Sequence, residues 1–189
     1  MNITLRFPEP HDIEPLFAAV RESIQELHPW APWCPLTYGL PDAARWVEQQ
    51  PAAREAGTAF EFVILDDDAR ILGCCGINQI NAGFRLGNLG YWVRSSATLR
   101  GVATAAARRA AGWAFQNTAL HRLELLVAVE NLASQAVALK AGATLEGRLR
   151  CRFLVHGQFQ DAFVYSIIRP SQDPSFTMEP VSSPSHSAV

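Results

Sequence analysis

The chain has 189 residues, of which 49% are hydrophobic and 18% are charged, so it can bury a core and is not globally disordered. Its net charge of −2 provides no basic field for binding nucleic acid or an acidic lipid surface. It shows no signal peptide, no membrane span and no CxxC pair among its four cysteines. We therefore expect a reduced, cytoplasmic protein that contacts neither membrane nor nucleic acid.

The first third of the chain predicts one short strand and two helices. Residues Ile3 to Arg6 have a strand pattern, and apolar residues three or four positions apart predict one continuous helix from Ile13 to Leu27, capped by Asp12. A second helix is expected to start near Pro41 and to end or kink at Pro51.

Strands and helices alternate in the rest of the chain. Strands are expected near residues 59–65, 70–77, 88–94, 122–129, 146–155 and 158–168, and helices near 101–117 and 132–141. The strand at 88–94, the helix at 101–117 and the strand at 122–129 form a right-handed crossover with parallel strands. The order predicts one α+β (mixed α/β) domain over 1–169, followed by a Pro- and Ser-rich, disordered tail over 170–189.

The segment that opens the helix at 101–117 has the composition of an anion site. Gly101 lets the backbone approach a phosphate closely, and free N–H groups at a helix start favour negative charge. The segment lacks GxGxxG and GxxxxGK[ST], so it is neither a dinucleotide-binding loop nor a P-loop. Taken alone, small residues at a helix start more often mark a tight packing point than an anion site.

A second polar segment follows the strand at 122–129. Asn131 and Ser134 lie at its carboxyl end, where open α/β sheets bind their ligands. Asn131 also fits the N-cap position of the next helix, and Ser134 could support the start of the same helix. Neither structural role excludes contact with a ligand.

These segments combine with matches elsewhere into a family pattern. Thr98 to Ala103 falls on a (Gln/Arg)-x-x-Gly-x-(Gly/Ala) loop, with Gly101 and Ala103 matching. Further matches are Leu5-Arg6, Pro8, Asp12, Arg122-Leu123-Glu124, Ala138, Ala141-Gly142, Glu146-Gly147, Arg150, Gly157, Asp161 and Tyr165-Ser166. Over residues 2 to about 169, the chain resembles the GNAT superfamily of acyl-CoA-dependent N-acetyltransferases, RimJ/RimL-type branch. Thr98 departs from the pattern, which has Gln or Arg at that position. Leu99 stands where this branch often has Gly, and leucine would be strained there if the position requires a positive φ.

The resemblance implies a three-layer fold. Its central, mostly antiparallel sheet has about 6–7 strands with one splayed parallel pair, and helices cover both faces. Acetyl-CoA is the implied co-substrate, and no metal is implied. The implied cofactor-binding residues are Val93, whose N–H would polarise the thioester carbonyl; Arg100, Gly101, Val102, Ala103 and Thr104 at the pyrophosphate; and Asn131 at the pantetheine arm. Ser134 lies where a proton donor to the thiolate is expected.

Glu61 is the leading candidate for the general base that deprotonates the amine. Tyr91, Asn78 and a water chain are the alternatives, because an α-amine with a reference pKa of about 8 needs only modest help. Trp30, Trp33 and Tyr38 lie in the loop expected at the acceptor site, where they form either a wall of that site or a hydrophobic plug.

The sequence thus predicts an N-acetyltransferase that acts by direct attack of the amine on the thioester. The expected acceptor, by resemblance, is the N-terminal α-amine of a protein or peptide. One alternative is a small amine such as an antibiotic, polyamine or amino acid, and another is a non-catalytic CoA-binding module. A homodimer is left open, and the scattered histidines form no metal-binding pattern.

Overall fold

A seven-stranded sheet forms the centre of the computed structural model, which describes residues 2–170. The strands are β1 (Thr4–Arg6), β2 (Phe60–Leu65), β3 (Ile71–Asn81), β4 (Leu86–Val93), β5 (Arg122–Ala128), β6 (Thr144–Val155) and β7 (Gln158–Ile168). The helices are α1 (Ile13–Glu22), α2 (Ile24–Leu27), α3 (Leu40–Glu55), α4 (Val102–Asn117) and α5 (Leu132–Ala141). The strand order is β1-β2-β3-β4-β5-β7-β6, and all neighbours are antiparallel except β4 and β5.

The expected mixed fold, with one parallel pair in a mostly antiparallel sheet, is confirmed. The tail expected over 170–189 lies outside the described residues except for Pro170. Across the described part of the chain, no helix combines the length and apolar character needed to span a membrane.

The prediction of one continuous helix from Ile13 to Leu27 is wrong. The helix is interrupted at Ser23, whose φ of −113° and ψ of 11° are not helical. Ser23 is fully buried, and its hydroxyl donates to the carbonyl oxygen of Ala19 at 2.9 Å. Serine hydroxyls compete in this way with the helical hydrogen-bond pattern. Because Val20 and Ile24 stay buried on both sides of the break, the apolar periodicity carried no sign of it.

Helix α3 continues through Pro51 as far as Glu55. The sequence analysis expected the helix to end or to kink at Pro51, and the first of these outcomes is wrong. A proline removes one backbone hydrogen bond from a helix. Ala43 and Val47 are buried in the core and anchor the helix before that position.

Both faces of the central strands are covered by helices. Phe62 and Ile64 on β2 pack in the cluster that contains α4, whereas the alternate residues Val63 and Leu65 pack in the cluster of α1 and α3. Small side chains on α4 let this helix lie close to the sheet; the buried ones are Ala106, Ala107, Ala110, Ala111 and Ala114. Burial on both faces explains why these strands read as apolar runs in the sequence.

The two parallel strands separate towards their carboxyl ends. β4 and β5 pair only between Leu86–Asn88 and Arg122–Glu124. Beyond Asn88, β4 remains paired with β3 as far as Val93, and β5 remains paired with β7 as far as Ala128. The unpaired ends leave a gap between the two strands, which confirms the expected splayed pair.

Candidate active site

The loop between β4 and α4 presents a run of unpaired amides. Gly101 is the N-cap of α4 and has a φ of 77°, in the left-handed region that favours glycine. The first bond of the helix runs from the N–H of Ala105 to the carbonyl of Gly101 at 3.0 Å. Within residues 2–170, the N–H groups from Leu99 through Thr104 have no hydrogen-bond acceptor. The loop therefore has the geometry of an anion site, and it contains the predicted residues 100–104.

Leu99 stands at the tip of the same loop with a φ of 60°. Its side chain is fully exposed, at 104% of the reference area. The positive φ considered for this position is therefore present, and leucine adopts it at a steric cost of about 1–2 kcal/mol. No packing contact offsets that cost, since the side chain lies in solvent.

The amide of Val93 faces the gap. The next amide along the chain, that of Arg94, donates to the carbonyl of Leu72 on β3 at 2.7 Å. Successive N–H groups of an extended strand point to opposite sides. The N–H of Val93 therefore points away from β3, towards the space between β4 and β5.

Asn131 and Ser134 are joined at the start of α5. The side-chain oxygen of Asn131 accepts from the N–H of Ser134 at 3.0 Å, so the predicted cap is present. The Ser134 hydroxyl lies 3.0 Å from the hydroxyl of Tyr91, which also donates to the Ser134 carbonyl at 3.0 Å. Tyr91 belongs to β4, so this contact crosses the gap. Burial raises the pKa of Tyr91 to about 12, which keeps its hydroxyl protonated.

Glu61 lies in a row of residues that runs across three strands. It is paired with Gly76 on β3, which is paired with Gly90 on β4. A Cβ atom on Gly76 would lie 2.1 Å from the Glu61 carboxylate, so that carboxylate rests directly on the glycine. Two strand spacings, about 10 Å, separate the backbones of Glu61 and Gly90, and the two glycines leave this path free of side chains. Asn88 is the last residue of β4 that pairs with β5, and Gly90 lies two residues beyond it. The row therefore ends at the gap.

Two asparagines continue the polar contacts of Glu61. Asn78 donates to the Glu61 carboxylate at 2.8 Å and accepts from Asn88 at 2.9 Å. Burial raises the pKa of Glu61 above its ordinary value, although the hydrogen bond from Asn78 opposes that rise. A raised pKa makes the Glu61 carboxylate a stronger proton acceptor than a solvated glutamate.

Aromatic side chains border the row. Trp92, two residues beyond Gly90 on β4, has its ring centroid 5.9 Å from that of Trp33. Trp33 is 46% exposed, whereas Tyr38 is buried and contacts Trp33 edge-on at 6.0 Å. Trp30 is partly buried, and no aromatic contact joins it to this group in the described residues. Trp33 is thus the predicted acceptor residue that presents an apolar surface beside the row.

The loop that carries Trp33 also touches the turn between β6 and β7. The rings of His28 and His156 stack at 3.9 Å with an interplanar angle of 15°, and a His156 ring nitrogen lies 3.0 Å from the His28 carbonyl. Gln160 donates to the carbonyl of Pro29 at 3.3 Å. These contacts form a bridge between the loop after α2 and the turn between β6 and β7.

Comparison with known proteins identifies the family. Residues 2–144 match the family described as "Acetyltransferase (GNAT) domain". The chain belongs to the GNAT acetyltransferases. It is 28% identical to YdaF of Bacillus subtilis over 175 residues, which cover 89% of this chain and 92% of YdaF. It is 24% identical to the ribosomal-protein-serine acetyltransferase of Escherichia coli over 171 residues, which cover 90% of this chain and 95% of that enzyme.

A solved structure shows the same fold. Mycobacterium smegmatis RimJ, in complex with CoA-disulfide, superposes with a TM-score of 0.80 and 27% identity, covering 88% of this chain and 81% of RimJ. The RimJ/RimL-type resemblance and the enzyme class expected from the sequence, an N-acetyltransferase with acetyl-CoA as co-substrate, are confirmed. The part of the chain that the structure describes holds no cluster of three or more potential metal ligands.

Several residues of the candidate site escaped the sequence prediction. Gly76 and Gly90 form the path from Glu61, and Trp92 supports Trp33, but none of the three was expected there. Tyr91 was considered only as an alternative base, and the structure places it against Ser134. Only the pairing of strands brings these residues together, and a single sequence does not reveal that register.

Proposed function

We propose that this GNAT enzyme transfers the acetyl group of acetyl-CoA to the N-terminal α-amine of a protein or peptide. The observation that carries the proposal is the row of Glu61, Gly76 and Gly90, which leads from a partly buried carboxylate to the gap between β4 and β5. A carboxylate reaches an amine at the gap along this path through one or two waters. The names of the E. coli and M. smegmatis relatives support the RimJ/RimL class of acceptor.

In this proposal the two substrates reach the gap from opposite faces of the sheet. Acetyl-CoA lies on the α4 and α5 face, with its pyrophosphate on the amides of Arg100 to Thr104 and its pantetheine arm beside Asn131. The amine approaches from the face of Glu61. Because both substrates reach the gap, the amine meets the thioester directly, and no acetyl-enzyme intermediate is needed.

The reaction then follows from the groups at the gap. The amine nitrogen bonds to the thioester carbon, and the N–H of Val93 stabilises the oxygen that becomes negative. The carbon–sulfur bond breaks, and its electron pair leaves with the CoA thiolate, to which the Ser134 hydroxyl donates a hydrogen bond. Glu61 accepts the proton that the amine loses and releases it to solvent, and the thiolate takes up one proton from solvent by way of the Ser134 hydroxyl, so protons and charge balance.

An α-amine suits this site better than a lysine side chain or a polyamine. The reference pKa of an α-amine is about 8 and that of lysine about 10.4, so a single carboxylate deprotonates the α-amine more readily. A polycation is held best by several carboxylates, whereas the row presents Glu61 alone. The exposed part of Trp33 offers an apolar surface to the first residue of the acceptor.

A panel of acceptors tests the proposal through the release of free CoA thiol. We expect turnover with short peptides that have a free α-amine, and none with the same lysine-containing peptides after the N-terminus is blocked. Polyamines, aminoglycosides and free amino acids are the comparison arms. Turnover of a small amine alone would contradict a peptide acceptor. Binding of CoA without turnover of any acceptor would favour a CoA-binding module.

A further inference from the structure

The break between α1 and α2 is hydrogen-bonded to the entrance of the cofactor loop. The Ser23 hydroxyl accepts from the N–H of Ser95 at 2.9 Å while it donates to Ala19 at 2.9 Å. Ser23 is fully buried, so the hydroxyl uses both its donor and its acceptor capacity inside the protein. Interrupting the helix at this residue therefore creates an anchor for a segment far away in the sequence.

Glu22 makes a second anchor beside the first. One carboxylate oxygen accepts from the N–H of Ser96 at 3.0 Å, and the other accepts from the guanidinium of Arg94, whose Nε lies at 2.9 Å. Arg94 is buried and also donates to the carbonyl of Ile71 on β3 at 3.1 Å. These contacts hold the backbone of residues 94–96 against both α1 and the sheet.

The Glu22 carboxylate stays ionised in ordinary buffers. The hydrogen bond from Arg94 is the main cause, and it lowers the pKa of Glu22 to about 2. The ion pair with Arg94 is therefore present across the pH range of an acetyltransfer assay, and this anchor does not act as a pH switch. Charge-assisted hydrogen bonds of this kind are the stronger class.

We propose that Glu22 and Ser23 are positioning residues for the acetyl-CoA loop. They fix residues 94–96 so that the free amides from Leu99 through Thr104 converge on the pyrophosphate. The inference rests on the proposed function, which assigns that loop to acetyl-CoA.

The part of the loop from Leu99 to Thr104 supplies little of its own geometry. Leu99 and Gly101 have positive φ angles, and the amides from Leu99 through Thr104 have no acceptor within residues 2–170, whereas those of Ala97 and Thr98 donate back to Arg94 and Ser95. Its shape must therefore be imposed at its ends, by α4 on one side and by the anchored segment 94–96 on the other. A loop held at only one end would lose conformational entropy when it orders around acetyl-CoA, and this loss weakens the affinity for acetyl-CoA.

Variants of the two anchors test the inference. Ser23→Ala removes one anchor, Glu22→Ala removes the other, and Glu22→Gln retains an acceptor for Ser96 but loses the charge. We expect the dissociation constant of CoA, measured by calorimetry, to rise about tenfold in both alanine variants and less in Glu22→Gln. The KM for acetyl-CoA should rise in parallel, with kcat within about twofold. Glu26→Gln, which neutralises an exposed carboxylate on α2, is the matched control and should bind CoA as the wild type does.

Thermal unfolding without CoA separates positioning from a merely structural role. Anchor variants that unfold at lower temperature but bind CoA with wild-type affinity would overturn the inference. If Ser23→Ala does not fold, the partly exposed Glu22 decides the question through its two variants. Gly101→Glu serves as the reference for the loop: if it weakens CoA binding while the anchor variants bind CoA with wild-type affinity, only the inference fails. If it leaves CoA affinity unchanged, the proposed site fails and the inference with it.

Discussion

Replacing Glu61 by glutamine tests the proposed base while preserving the shape of the side chain. The glutamine carbonyl can still accept the hydrogen bond that Asn78 donates at 2.8 Å, so the packing over Gly76 is retained. Only the charge and the ability to take up a proton are lost. We expect kcat/KM to fall about a hundredfold or more, the lower end of general-base contributions, which corresponds to about 2.7 kcal/mol of activation free energy.

The pH profile gives the sharper result. The wild-type rate should rise with pH as Glu61 ionises, with a midpoint above the ordinary range because burial raises its pKa. The glutamine variant has no such ionisation, so this acidic limb should be absent from its profile of kcat/KM. A limb that persists unchanged in Glu61→Gln would assign the base to another group and refute the reasoning.

The same raised pKa predicts an effect on stability. Protonation of Glu61 stabilises the folded state fully below the unfolded-state pKa, and that contribution is lost as pH rises through the folded-state pKa. Near pH 8 the glutamine variant should therefore be more stable than the wild type, by about 1.4 kcal/mol for each unit between the two pKa values. The difference should vanish near pH 4 in thermal unfolding. Glu48→Gln on the exposed surface of α3 is the control. If Glu61→Gln and the wild type were equally stable at both pH values, the raised pKa of Glu61 would be contradicted.

Three other substitutions address the cofactor side of the gap. Gly101→Glu places a charge among the amides proposed to hold the pyrophosphate and should weaken CoA binding at least tenfold, about 1.4 kcal/mol by calorimetry; unchanged affinity would remove the loop from the site. Ser134→Ala should lower kcat about ten- to a hundredfold with little change in CoA affinity, and undiminished turnover would leave Ser134 as a helix-start residue only. Leu99→Asn should raise the free energy of unfolding by up to about 1 kcal/mol, because asparagine tolerates positive φ better than leucine; a loss of stability in chemical denaturation would show that the loop is not strained.

The sequence was sufficient where local chemistry determines structure. Gly101 and the small residues after it signalled the start of α4, and the structure gives this glycine a φ of 77° that few other residues adopt. Asn131 signalled α5 because its side chain caps a free amide. The separation of β4 from β5 was not visible in either strand; it came from the family resemblance. Both strands are apolar because helices cover them, and nothing in that pattern records where pairing stops.

Features that depend on distant pairing were missed for a physical reason. Gly76 and Gly90 look like ordinary strand interruptions until the register places them beside Glu61. The break at Ser23 keeps the apolar residues of α1 and α2 in phase, and its partner Ser95 lies 72 residues further along the chain. Such contacts are fixed by tertiary packing, and local propensity does not encode them.

The bridge between His28 and His156 completes a circuit of contacts beside the gap. Starting from Trp92 on β4, contacts run through Trp33 and its loop to the stacked imidazoles, along β7 to its partner β5, and back to β4 where the parallel strands pair. A polymer can pass through a closed circuit only by a free end or by a side chain long enough to thread it. A continuous chain cannot be laid in from the side unless the imidazole stack first separates. Under the proposed function, this circuit would admit an acceptor by its free end, as a chain terminus provides.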